Sequence, residues 1–276
     1  MKSLVTSVRS ARKYRGYLPQ PVTMFRVLRW LWQFKRSDRK DIGRLLDSIL
    51  YLSEHLVRKI LVDQNAALME RLAMFGVPPE NIIYVQVDEA GSSSGVMLNM
   101  LRDAAGLQQR GCNFLDSNDV LGINRLTNKL GSGALVYIDD FVGTGMQFCS
   151  SRDFAAQNVV GSFSEFLLVP CICEEGISEI AKRGVEPYAG HVHSKAERPL
   201  HDNSAILDRA TKRRLIEVCE RIDPTIGVGF LGSAAMVVLY RNAPDNIPII
   251  FRGNEKQEPF FGIFPRTTDL PLQDPS

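Results

Sequence analysis

Two adjacent aspartates, Asp139 and Asp140, end the apolar run at residues 134–138, and a short loop follows them in the stretch "ALVYIDDFVGTGMQF". Paired carboxylates accept hydrogen bonds from hydroxyl groups or hold a divalent cation. The loop suits a different partner. Gly143 and Gly145 let the backbone turn sharply so that amide hydrogens converge, and Thr144 adds a hydroxyl. A helix beginning at Met146 and Gln147 would aim its positive end at the same point. Amides and a helix terminus favour a phosphate, whereas carboxylates favour hydroxyls. A ribose 5-phosphate carries both groups a few ångströms apart. The competing reading of the same residues is a metal-binding or helix-capping pair in another α/β protein, receiver-like or phosphatase-like. A receiver needs further acids and a lysine at other strand ends, and the sequence does not place them.

The elements that must position these residues alternate. "NIIYVQVD", "ALVYID", "SEFLLVPCI" and "PYAGHVH" read as strands, and "GVMLNMLRDA", "MQFCSSRDFAAQ", "GISEIAKRG" and "SAILDRATKRRLIEVCERI" as the helices after them. Such alternation predicts βαβ units on a parallel sheet, whose ligands bind beyond the carboxyl ends of the strands. The first 75 residues read differently. Residues 1–20 look like a basic, irregular arm, and "VTMFRVLRWLWQF" carries apolar residues at helical spacing. From Ile42 a series near a 3.6-residue period runs to Leu72, before Gly76, Pro78 and Pro79 end it. "AAMVVLY" and "IPIIF" add strand material near the C-terminus, and "TTDLPLQDPS" reads as a loose tail. The expected organisation is a basic helical segment at 1–77, an α/β core at 78–266 and a tail at 267–276.

A second loop, Gly91, Ser92, Ser93, Ser94 and Gly95, lies between a strand and a helix, the arrangement of an anion nest or of a helix-capping turn. The segment "GCNFLDSNDVLGINRLTNKLGSG" is long, polar and poorly periodic, which predicts a lid carrying Arg125 and Lys129. His191 and His193 share a strand face upstream of His201 and Asp202. Two histidines without a clear third ligand read as structural. Asp202, Asn203 or Ser204 is expected to cap the helix that follows.

"LVYIDDFVGTGMQ" resembles the phosphoribosyl-pyrophosphate motif of type I phosphoribosyltransferases. "VVLYRNAPDNIPIIFRG", "PFFGIFPR" and the Trp30, Trp32, Gln33, Phe34 cluster resemble parts of phosphoribosyltransferase-like proteins of bacterial conflict systems. The resemblance spans about residues 25–266. It implies an α/β parallel-sheet phosphoribosyltransferase-like core with an N-terminal helical extension. It gives Asp139 and Asp140 to the ribose and Gly143, Thr144, Gly145, Met146 and Gln147 to the 5-phosphate. It gives the serine loop and a mobile loop with Arg125 and Lys129 to pyrophosphate. Magnesium is the implied cofactor, with Asp88 and Glu89 reaching it through water. The ligand would be phosphoribosyl pyrophosphate or a nucleotide, and the activity pentosyl transfer in a defence-system effector. One departure stands out. The family's loop ends Gly-Gly-Thr, whereas here Gly145, Met146 and Gln147 end it, so a hydroxyl donor is lost. That departure keeps a catalytically silent nucleotide-binding module, or a nucleic-acid-docking subunit of a defence complex, as alternatives.

Bulk composition narrows the setting. The chain has 276 residues, 45% hydrophobic and 23% charged, as in an ordinary globular protein. No apolar run is long enough for a bilayer, and no signal core follows the basic N-terminus, so a cytoplasmic protein without membrane partners is expected. Five scattered cysteines without paired spacing read as buried thiols in a reducing compartment. Net charge is +2, yet residues 1–60 hold 14 Lys or Arg against 4 Asp or Glu. That surplus points to RNA, DNA or an acidic protein as a partner for residues 1–60, within a complex or oligomer.

Overall fold

The computed structural model describes residues 2–87, 93–254 and 260–266. In chain order these form helices α1 (Lys2–Lys13), α2 (Met24–Trp32) and α3 (Arg39–Ser48), strand β1 (Leu50–Leu52) and helix α4 (Glu54–Met74). Strict alternation follows, through β2 (Ile82–Gln86), α5 (Ser93–Ala104), β3 (Asn113–Asp116), α6 (Val120–Leu130), β4 (Ser132–Ile138) and α7 (Met146–Ala156). It continues through β5 (Ser162–Cys173), α8 (Glu174–Ala181) and β6 (Glu186–His193). The remaining elements are α9 (Arg209–Ile222), β7 (Val237–Leu239), α10 (Ile249–Arg252), β8 (Gly253–Asn254) and β9 (Phe260–Phe261). They fall into two compact units, one drawn from 55–193 and the other from the described residues on either side of it. The boundary read from the sequence after residue 77 lies between α4 and β2, within the first of these units. The tail at 267–276 lies outside the described residues. No helix among them is long and apolar enough to cross a membrane.

In unit 55–193 the five strands run in the order β3-β2-β4-β5-β6, every pairing parallel. Helices cover both faces, so the central strands are apolar on both sides and lack polar alternation. Ile83, Val85, Leu135, Tyr137, Leu167 and Val169 face Phe148, Cys149 and Ala155 of α7, Ile180 of α8 and Ile123 of α6. On the opposite face the Tyr84 hydroxyl donates to Asn65 Oδ1 of α4 at 2.6 Å, and α5 packs over β2 and β4. This is the α/β parallel-sheet core expected from the alternating pattern.

The second unit is built on aromatic and aliphatic side chains from both ends of the chain. Trp30, fully buried, donates from Nε1 to the Ile250 carbonyl at 2.7 Å and stacks on Phe251 with ring centroids 5.6 Å apart. Gln33 holds both backbone groups of Phe261, donating to its oxygen at 2.8 Å and accepting from its nitrogen at 3.0 Å. Phe34 meets Phe260, while Arg26 reaches the Gly262 carbonyl at 2.8 Å. Residues from all three sequence pieces that carry the more distant part of the resemblance thus pack together in one cluster. Trp32 is not part of it, being 67% exposed.

Four expectations are corrected in this unit. Residues 2–13 are a helix and not an irregular arm. Its inward stripe is Ser7, Ser10 and Tyr14, all at most 1% exposed, so hydrophobic periodicity gives no signal. The apolar series from Ile42 to Leu72 is broken at residues 50–52, where β1 pairs in parallel with β7. Isoleucine and leucine at helical spacing do not reveal so short a strand with so distant a partner. "IPIIF" forms the short helix α10 after Pro248 and not a strand. Finally, α9 starts at Arg209 with Asp208 as its cap, accepting from Thr211 N at 2.9 Å, so Asp202, Asn203 and Ser204 lie in the turns before it.

Candidate functional site

The strand order sets the location. From β2 the chain crosses to β3 on one side, then returns past β2 to place β4 on its other side. Such a reversal opens a crevice at the carboxyl ends of the two strands flanking it, here β2 and β4. Asp139 and Asp140 stand at that end of β4, each 7% exposed. They stay tied to the sheet. Asp139 N donates to Leu168 O at 3.2 Å, and Asp140 N donates to the Asp139 carboxylate at 2.8 Å. Beyond them Val142 continues alongside β5, accepting from Cys173 N at 2.8 Å. The carboxylates are therefore held on backbone that is paired on the β5 side, a firmer support than a free loop.

The turn then closes at Gly145, whose φ of +83° is the left-handed conformation that glycine adopts without strain. It caps α7, and the first helical bond runs from Cys149 N to Gly145 O at 2.9 Å. The amides of the first helical turn are those a helix does not use internally, and they face the loop. Thr144 Oγ1 lies 3.5 Å from Met146 N, while Met146 and Gln147 are exposed at the start of the helix.

Helix α8 backs this loop. A Cβ on Gly176 would stand 2.8 Å from the Gly143 oxygen, and one on Gly145 would stand 3.1 Å from Glu179 Cβ. Sequence reading overlooks Gly176, because its role is a close approach between two segments and no local motif records it. The base of α7 is braced by Arg152, which donates from Nε to Glu165 Oε2 at 2.7 Å; the Tyr137 hydroxyl donates to the same oxygen at 3.0 Å. Burial pushes the Tyr137 phenol well above its ordinary pKa, so it remains a donor. Gly145→Ala is expected to lower unfolding free energy by about 1–2 kcal/mol, the cost of a left-handed alanine. Urea denaturation checks this, and an unchanged midpoint would mean that the loop relaxes freely.

The other expected residues divide. Ser93, Ser94 and Gly95 form the first turn of α5, which follows β2 on the opposite side of the crevice. Ser94 is fully buried, and a Cβ on Gly95 would stand 2.9 Å from Gln86 Oε1. Asp88, Glu89, Gly91 and Ser92 lie outside the described residues. The expected lid is instead an ordered strand and helix, β3 and α6, with Asp119 capping α6 by accepting from Gly122 N at 2.9 Å. Arg125 is exposed midway along α6. Lys129 is exposed in its last turn, just before β4 begins. Seven strand residues separate that end of β4 from the acid pair, about 23 Å at 3.3 Å per residue. The structure does not bring Lys129 to the carboxylates.

His191 and His193 share a face of β6 with ring centroids 6.0 Å apart, and His201 and Asp202 belong to turns of the other unit. The basic surplus of the N-terminal segment is partly consumed internally. Arg9 pairs with Asp47 and Arg44 with Asp41, Arg39 donates to the Phe34 carbonyl, and Arg26 is 9% exposed. Burial lowers the Arg26 pKa to about 10. All five cysteines are buried, and none forms a disulfide among the described residues.

Comparison with known proteins adds a family. The PRTase-CE family model matches residues 27–266. No curated protein sequence matches the chain. Among solved structures, the chain is similar to orotate phosphoribosyltransferase from Aeropyrum pernix, with 16% identity and a TM-score of 0.34 over 50% of this chain and 70% of that one. It is also similar to a hypothetical protein from Neisseria gonorrhoeae with bound ppGpp, with 12% identity and a TM-score of 0.36 over 62% of this chain and 97% of that one.

Proposed function

The chain belongs to the PRTase-CE family, and from that premise we propose that its phosphoribosyltransferase-like core binds phosphoribosyl pyrophosphate or a nucleotide and acts at the anomeric carbon, as an effector in bacterial defence. The observation that carries the reading is the acid pair and the Thr-Gly loop on one strand-to-helix connection, beside the reversal of strand order. Asp139 and Asp140 accept hydrogen bonds from the ribose hydroxyls. Thr144, with the amides at the start of α7, holds the 5-phosphate. These contacts fix the sugar while the bond from the anomeric carbon to pyrophosphate breaks, its electron pair leaving with the pyrophosphate, and a bond to an acceptor nitrogen forms as that nitrogen gives up its proton to solvent. Such chemistry is served by positioning and by charges placed around a developing oxocarbenium ion, without a protein nucleophile.

Ser93, Ser94 and Gly95, across the crevice, would meet the departing pyrophosphate. Magnesium, when bound, would neutralise that leaving group. The carboxylates of Asp139 and Asp140 are hard oxygen donors of the kind this ion accepts. Asp88 and Glu89 are the further donors proposed to act through water.

A second reading, a nucleotide-binding module without turnover, is favoured by Met146. Its side chain, 55% exposed, stands at the helix start where the family's loop continues with glycine and threonine. Pyrophosphate release from phosphoribosyl pyrophosphate and magnesium, assayed with a panel of bases and nucleotides, separates the two. Acceptor-dependent release is the expected result. Ligand binding with no release above the uncatalysed rate would assign the silent module.

A further inference from the structure

A pocket in the helical unit shares no residue with the acid-pair site. It measures about 480 Å³ and is lined by Arg12, Lys13, Arg15, Gly16, Tyr51 and Ser53. Three of these six residues are cationic and none is acidic. Arg12 and Arg15 are exposed at the end of α1 and just beyond it, and among the described residues neither has a hydrogen bond or an ion pair. Arg9, one turn earlier, is committed to the Asp47 carboxylate.

Lys13 is held in place by backbone oxygens. Its Nζ donates to Asp47 O at 3.0 Å and to Ile49 O at 2.6 Å, two of the three donors that an ammonium offers. Both hydrogen-bond partners are neutral carbonyls; burial lowers the pKa of the group, opposed in part by the nearby Asp47 carboxylate that Arg9 already pairs. An anion beside it would reverse that penalty. Among the described residues the buried Tyr51 hydroxyl has no hydrogen-bond partner, which is costly unless something supplies an acceptor. Burial raises its pKa to about 12, so it is a donor at neutral pH. Gly16 keeps the approach open, because a Cβ there would stand 3.3 Å from the Tyr51 oxygen.

We propose that this pocket is a second anion site, which binds a phosphate group through Arg12, Lys13, Arg15 and the Tyr51 hydroxyl. Two guanidinium groups, an ammonium and a phenol supply more donors than a carboxylate has lone-pair positions to accept, and they match the oxygens of a phosphate. The phosphate belongs to a free nucleotide or to a nucleic-acid strand. The site is independent of the ribose-phosphate reading, since it shares none of those residues.

The test reads this pocket locally, because phosphate ligands could also bind at the acid-pair loop. Lys13 is labelled with an amine acylating reagent, and its modification is followed by mass spectrometry on the full chain. The probes are inorganic pyrophosphate and ATP in one arm and a single-stranded RNA 12-mer in the other. Slower Lys13 labelling is expected in at least one arm, and the arm that protects identifies the source. Removal of both guanidinium groups in Arg12→Ala/Arg15→Ala should weaken protection about tenfold or more, and Tyr51→Phe should weaken it about threefold, as expected for charged and neutral hydrogen bonds. Both arginines are exposed, so the double variant should keep the wild-type circular dichroism spectrum. Lys13 labelling that neither probe slows, or that both proteins show equally protected, would overturn the proposal.

Discussion

Asp140→Asn is expected to weaken binding of phosphoribosyl pyrophosphate by about 100-fold while the chain stays folded. A hydrogen bond to a charged acceptor is worth about 1.5–3 kcal/mol, and about 1.4 kcal/mol corresponds to a tenfold change in affinity. A carboxylate that receives two ribose hydroxyls in a site nearly closed to solvent therefore carries about two orders of magnitude. Asparagine keeps the shape but offers one acceptor oxygen and brings an amide that points donors at donors. Asp139 has a second duty, since its carboxylate accepts the Asp140 amide at 2.8 Å. Asp140 is thus the cleaner position at which to separate binding from folding. Equilibrium dialysis with magnesium present measures the effect, and circular dichroism verifies the fold. An affinity within threefold of wild type would remove Asp140 from the ribose contact.

Trp30→Ala should cost about 3–5 kcal/mol of unfolding free energy, the range for truncating a large buried aromatic side chain. The residue is fully buried, stacks on Phe251, meets Phe34 edge-on at 5.2 Å and donates to Ile250 O at 2.7 Å. Its removal leaves a cavity and a buried carbonyl without its donor. Trp30→Phe isolates the second loss, with an expected cost of about 1–3 kcal/mol. Guanidinium denaturation followed by far-ultraviolet circular dichroism gives both values. A cost below about 1 kcal/mol for the alanine variant would mean that the two ends of the chain do not depend on this side chain for their packing.

How much of this was legible follows from how local each feature is. The segment from β4 through the loop to α7 was read nearly residue for residue, because strand, acid pair, loop and helix are contiguous. Alternating elements likewise announced the parallel sheet. What no local pattern contains is the strand order that lays β2 beside β4, so Ser93, Ser94 and Gly95 and the acid pair could be named but not placed on opposite sides of one crevice. Helix α1 was missed because serines and not aliphatic residues face its core. The expected lid was misread for a related reason: α6 buries only Ile123 and Thr127 completely, too little for a helical period to stand out. Gly176 was invisible because its constraint is the backbone of another segment. "IPIIF" carries strong strand propensity, yet its place beneath Trp30 imposes a helical turn, a tertiary override of local preference.

The proposed activity depends on a ribose-phosphate pocket at the acid pair. The most direct measurement is calorimetric titration of phosphoribosyl pyrophosphate, with magnesium, into wild type and Asp140→Asn side by side. A saturable site is expected in wild type, and none in the variant. Equal heats from both proteins, or none from folded wild type up to millimolar ligand, would contradict it.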